Sequence, residues 1–230
     1  MTTRIAIFSP RGGAGVSTVV ANLALALVEA GVETACVDLE GQGALRLHLG
    51  LLDSHDRAES GRASEPPKGL RLIESDGRRP SEWQDGAVAG QTPARVVLVD
   101  VPRTRPDLQA EILESTDSWL CVLPADAMAV AMAPDVKRQL AGTKRAFVLL
   151  NHVDPRFALR REAGVFLADV FAARLVGSIR KDEAINEAQA NLERLPVFSP
   201  HSSAWADFRR LAAAGREIAA GQMPASSALL

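Results

Sequence analysis

The first forty residues constrain the fold more than any other stretch of the chain. Arg4 to Phe8 (RIAIF) is a short apolar, β-branched run that meets Pro10 and a cluster of glycines. From Val16 to Ala30 the chain is apolar through several turns and stops at Gly31, the pattern of a buried helix with a glycine terminator. Thr34 to Leu39 (TACVDL) is a second apolar run, ending in an acid. Strand, glycine-rich turn, helix, strand makes one βαβ unit, and a helical crossover of that length joins parallel strands.

The rest of the chain repeats the alternation. Apolar runs recur at Leu70–Ile73, Val96–Val101, Trp119–Leu123, Ala146–Leu150 and Leu175–Ile179. Helical stretches at about 107–115, 127–141, 157–173 and 183–194 separate most of them. Strands that are apolar throughout, without polar alternation, belong to a parallel sheet covered on both faces. The expected fold is therefore α/β: a doubly wound, mostly parallel sheet with helices on both faces. Residues 53–69 are polar and rich in Gly, Pro and Ser, the composition of an exposed loop. A last helix, about Ser203 to Ala220, carries Trp205, Phe208, Leu211, Ala212 and Ile218 near helical spacing, which predicts a core-facing stripe. One domain over residues 1–220 and a flexible tail at 221–230 are expected.

Composition narrows the functions. The formal charge is -2 and no block of like charges occurs, so no basic face for nucleic acid is expected. Cys36 and Cys121 sit inside apolar runs and are expected to be buried strand residues, without redox or disulfide spacing. His48, His55, His152 and His201 share no metal-ligand spacing. The N-terminus carries no basic segment followed by an apolar stretch, and no apolar run reaches the ~20 residues of a membrane-spanning helix. A cytoplasmic protein is expected.

The chemistry is concentrated in Pro10-Arg11-Gly12-Gly13-Ala14-Gly15-Val16-Ser17-Thr18, between the first strand and the first helix. Glycines there let backbone N–H groups converge on an anion, and the helix N-terminus adds a favourable field. A regular phosphate loop reads GxxxxGK[ST]. Gly15 and Ser17 fit that pattern, but Pro10 stands for the first glycine and Val16 for the lysine. A glycine-rich turn of this kind also occurs in proteins that bind no nucleotide.

The run RGGAGVST resembles the deviant phosphate loop KGGVGKTT of the MinD/ParA family. Other segments resemble that family in the same order. VDLEGQG at 37–43 is similar to its switch I segment VDLDPQGN, and VLVD at 97–100 to its switch II strand. Leu149-Leu150-Asn151 is similar to the strand end that reads adenine, and IRKDEA at 179–184 with Leu195-Pro196-Val197 to its IPRDEA…KPV segment. Two departures, PRGGAGVST and DVPR at 100–103, resemble the cellulose-operon branch (the BcsQ family), whose loop also has arginine at the signature position and no P-loop lysine.

That resemblance implies a nucleotide site for ATP or ADP with Mg²⁺, in a homodimer that sandwiches the nucleotide. The main chain of Gly12, Gly13, Ala14, Gly15, Val16, Ser17 and Thr18 would hold the phosphates. Ser17 would ligate the metal, Asp100 would orient a metal-bound water, and Asp38 would be the switch I acid near the metal. Glu40 stands where the family has the aspartate that positions the attacking water. Asn151 would hydrogen-bond adenine, with the backbone at Ile179 and Arg180 lining the base. Arg11 would reach the partner's phosphates in trans. With Val16 supplying no charge, hydrolysis is expected to be weak or absent. The branch implies other cellulose-secretion subunits as partners, with membrane contact only through them. An active positioning or partitioning ATPase is the alternative, and it calls for a basic surface or an amphipathic membrane helix.

Overall fold

The structure is a computed structural model, and it describes residues 2–39, 43–51, 65–74, 93–103, 105–143, 145–222 and 224. Glu40, residues 53–64 of the expected loop and residues 225–230 of the expected tail lie outside the described residues.

Seven strands form one sheet: β1 (Thr3–Phe8), β2 (Thr34–Asp38), β3 (Leu70–Glu74), β4 (Val96–Asp100), β5 (Ser118–Pro124), β6 (Ala146–Val153) and β7 (Leu175–Arg180). Every pairing is parallel, in the order β3-β2-β4-β1-β5-β6-β7. The helices are α1 (Val16–Glu29), α2 (Ala44–His48), α3 (Pro106–Ser115), α4 (Ala127–Ala141), α5 (Ala158–Val170), α6 (Ala184–Ala190), α7 (Leu195–Phe198) and α8 (Ser203–Ala219). Each predicted strand is present. The single helix expected over 183–194 is instead α6 ending at Ala190, followed by α7, which begins just before Pro196. Leu192 is left-handed (φ 53°), and its amide and that of Glu193 donate to the Gln189 and Ala188 carbonyls, a turn that ends α6. Pro196 suits the first turn of α7. The short α2 has too few residues to show a period in the sequence.

Alternate residues of each strand feed two cores. Ile5, Ile7, Cys36, Leu98, Leu120, Val122, Phe147 and Leu149 pack under α1 and α8. Ala6, Phe8, Val37, Val99, Cys121, Leu123, Val148 and Leu150 pack under α3, α4 and α5. Both faces are covered, which is why the strands are apolar without alternation. The α8 stripe is core as expected, with Trp205 1% and Phe208 0% exposed. Among the described residues no helix is long and apolar enough to cross a membrane.

Strand order reverses around β1. The chain winds outward through β2 and β3 on one side, then through β5, β6 and β7 on the other. Ligands of open α/β sheets bind in the crevice at such a switch point, outside the carboxyl ends of the strands. The glycine-rich turn leaves β1 there.

Candidate nucleotide site

Residues 9–15 leave β1 and enter α1 through two left-handed residues, Gly13 (φ 70°) and Gly15 (φ 81°). Gly15 is the N-cap of α1 and offers no side chain to the helix end. The first helical bond runs from Val19 N–H to the Gly15 carbonyl at 2.9 Å, so the amides of Val16, Ser17 and Thr18 stand at the open end of the helix. A cleft of roughly 400 Å³ lies over this turn, lined by residues 11–18 with His48, Asp100 and Arg103. The glycine cradle, free helix end and open volume fit a polyphosphate.

Gly15 is needed for two reasons. Its backbone is left-handed, and a Cβ there would stand 2.6 Å from Asn151 Nδ2. Asn151, at the carboxyl end of β6, is 3% exposed and donates from Nδ2 to the Ala14 carbonyl at 2.8 Å. The residue expected to read a base therefore also ties the phosphate loop to the far half of the sheet. Beside it, His152 takes a left-handed conformation (φ 53°) where the β6–β7 register shifts. Burial, then the charges of Arg160, Lys181 and Arg11, push the His152 pKa below its ordinary value.

A second cleft of roughly 240 Å³ adjoins the first at Thr18 and is lined by Asn151, His152, Arg180 and Lys181 among others. Arg180 lies on its wall, but its guanidinium pairs bidentately with Asp207 of α8 at 2.9 and 3.0 Å. Ile179 is fully buried, so its side chain belongs to the core. Asp182 ties the exit of β7 to α8, accepting from the Ser203 hydroxyl at 2.8 Å and the Ala204 amide at 3.2 Å.

The two aspartates expected near a metal are register partners on adjacent strands, Asp38 on β2 and Asp100 on β4, each 3% exposed. Asp100 lines the phosphate cleft together with Ser17, and Asp38 does not line it. No cluster of three or more His, Cys, Asp or Glu side chains placed to hold a metal occurs among the described residues. This donor set suits Mg²⁺, which takes most of its ligands from phosphate and water, with one or two from protein.

Arg11 makes a bidentate pair with Asp126, Nη1–Oδ1 3.1 Å and Nη2–Oδ2 2.9 Å. Asp126 also caps α4, accepting from the Ala129 amide at 3.0 Å. An Asp immediately before an apolar-periodic run signals a cap in the sequence, but nothing there pairs it with Arg11. His48 of α2 lies 2.9 Å from the Thr18 hydroxyl through Nε2, and burial pushes its pKa down to about 4. Its ring is neutral at pH 7. No sequence spacing marks His48 or Asp207, whereas Arg103 ends the DVPR segment. Both cysteines are free and buried, and burial pushes the Cys121 thiol up to about 12.

A glycine-rich loop that opens into a buried helix after the central strand of a parallel sheet is the arrangement of P-loop and related nucleotide-binding domains. The family model of the CobQ/CobB/MinD/ParA nucleotide binding domain matches residues 5–195, and the chain belongs to that family. Solved structures share the fold. MinD from Pyrococcus horikoshii, complexed with Mg-ADP, is 23% identical with a TM-score of 0.68, covering 95% of this chain and 98% of its own. MinD in the MinC:MinD complex of Aquifex aeolicus is 19% identical with a TM-score of 0.72, covering 97% and 98%. Cobyrinic acid a,c-diamide synthase from Mycobacterium smegmatis, with a bound ATP analog and magnesium, is 20% identical with a TM-score of 0.66, covering 97% and 99%. No curated protein sequence matches the chain.

Proposed function

We propose that this protein is a BcsQ-like nucleotide-binding accessory of bacterial cellulose biosynthesis and secretion, an ATP-bound dimeric switch or scaffold with weak or no hydrolysis. One observation carries the reading: Val16 occupies the lysine position of a loop whose glycine cradle and cleft are otherwise open to a polyphosphate. Loss of one cationic group at a phosphoryl-transfer site removes ~10³-fold of rate or more. Docking relies instead on the amides of residues 12–18, with Ser17 and Asp100 on the metal side. A magnesium–nucleotide complex, when bound, supplies the charge that dimer contacts can sense. Arg11 would exchange Asp126 for a phosphate of the second subunit, its planar fork suiting either partner. Asn151 and the backbone at Ile179 and Arg180 would frame the base, and Asp38 would support Asp100. Glu40 would stand at the water position with one methylene more than the family's aspartate.

The cellulose assignment rests on the PRGGAGVST and DVPR segments, with a homodimer and other secretion subunits as partners. A cytoplasmic protein that reaches a membrane through those partners, and binds no nucleic acid, follows from it. Calorimetry with ATP and ADP in Mg²⁺ should detect binding, light scattering should show a nucleotide-dependent dimer, and phosphate release should stay far below ordinary ATPase rates. Ordinary turnover would overturn the weak-hydrolysis reading. Co-sedimentation with DNA or liposomes in ATP would favour the alternative, an active positioning or partitioning ATPase. Cellulose synthase genes beside this one would support the branch, and their absence would count against it.

A further inference from the structure

The loss of charge at position 16 raises the question of what faces the outermost phosphate. Among the described residues, three side chains lining the phosphate cleft are potentially cationic: Arg11, His48 and Arg103. Arg11 turns toward the Asp126 carboxylate at the head of α4 and is the group proposed above for the second subunit's phosphates. His48 is kept neutral by burial. Arg103 follows the carboxyl end of β4 on a short segment whose root is fixed, since Val101 is 5% exposed and its amide donates to the Ile7 carbonyl at 3.1 Å. Pro102 fixes its own φ and restricts Val101 before it. From there the guanidinium lies over the phosphate loop: a Cβ placed on Gly12 would stand 3.5 Å from Arg103 Nε and 3.7 Å from Nη2.

Position within the cleft decides which phosphate this concerns. The base-side cleft and the phosphate cleft meet at Thr18. A nucleotide with its base against Asn151 and Arg180 therefore runs its phosphates from Thr18 back along the loop toward Gly12. Arg103 stands at that far end. We propose that Arg103 grips the terminal phosphate of the nucleotide, replacing from the switch II side the ammonium group absent at position 16. A guanidinium offers a planar fork of donors that matches phosphate oxygens. The inference rests on the reading of this cleft as a nucleotide site.

Calorimetry of the full chain with ATP, ADP and AMP in Mg²⁺ tests it. The wild type should prefer ATP over AMP. In Arg103→Ala the ATP affinity should fall ~10-fold or more, as expected for a charge-assisted hydrogen bond, with a smaller loss for ADP and none for AMP. Arg103→Lys should retain part of the preference, and Val16→Lys placed on Arg103→Ala should restore it. Arg103 is exposed, and thermal melts of both single variants check that the fold is kept. If Arg103→Ala keeps the wild-type ATP-to-AMP ratio, or weakens all three nucleotides equally, Arg103 is not the phosphate grip while the nucleotide site stands. If the wild type binds none of the three, the nucleotide reading itself falls and takes this inference with it.

Discussion

Gly13 and Gly15 share a left-handed backbone but differ in surroundings, and that difference separates binding from folding. Around a Cβ on Gly13 there is open space, whereas one on Gly15 would meet the Asn151 amide at 2.6 Å. Gly13→Ala should cost only the backbone strain, about 1 kcal/mol, and Gly15→Ala about 3 kcal/mol because the buried bond from Asn151 to Ala14 must also break. Urea titrations of the two variants check the contrast, and equal losses would show that the Asn151 tether is weak. His48 gives a pH prediction. Its folded pKa of about 4 lies below its ordinary 6.5 because burial disfavours the charged ring. The unfolded chain takes up a proton as pH falls below 6.5 while the folded chain does not. Stability from this group is thus complete above 6.5 and drains as pH falls toward 4, by about 2 kcal/mol between pH 7 and 5. His48→Asn should flatten most of that slope. Carboxylates held low, such as Asp154 at about 2, act at lower pH, while His152, also pushed down by burial, adds to the same window and is separated by the His152→Asn profile.

At the scale of elements, Asp207 joins the last strand to the last helix, beside the bonds that Asp182 accepts from Ser203 and Ala204. Asp207 of α8 is 2% exposed, accepts from the Arg180 amide at 2.9 Å, and pairs with the Arg180 and Arg210 guanidinium groups. Asp207→Ala would leave the Arg180 amide without its acceptor and loosen α8 on β7, at a cost of about 3 kcal/mol. The base-side cleft shares Arg180, so hydrogen exchange should rise in both β7 and α8; a change confined to the surface of α8 would refute the link. Elements of this kind differ in how legible they are in sequence. The seven strands and six of the helices are legible because buried parallel strands are apolar runs and long helices show their period. The glycine-rich turn is legible because its three glycines stand between an apolar strand and an apolar helix, and its reading as a phosphate loop comes from the resemblance of RGGAGVST. Asp207, Asp126 and His48 are not: each acts through a partner from 27 to 115 residues away, a pairing that only the folded sheet creates. Asn151 is half legible, since its strand-end position can be read but its bond to Ala14 cannot.

For the whole molecule, the site spans both halves of the sheet. Loop and aspartates come from β1, β2 and β4, while Asn151 and Arg180 come from β6 and β7 on the other side of the central strand. A nucleotide laid from Arg180 to Arg103 would therefore bridge elements that otherwise meet through the core, the Asn151–Ala14 bond and the Arg11–Asp126 pair. Such a ligand should raise the stability of the entire domain and not just order the loop. At free nucleotide one hundred times its dissociation constant, mass action contributes about 2.7 kcal/mol. For a domain of this length that corresponds to a rise in melting temperature of roughly 5–10 °C. The shift should be present with Mg-ATP, small with AMP, and lost when Gly13 is replaced by a bulky residue, since Gly13 has room for the side chain but the phosphates do not. Amide exchange should slow in β6 and β7 as well as in the loop. Protection limited to residues 11–18 would mean that the ligand touches one half of the sheet alone, and the base would then have to lie elsewhere than against Asn151.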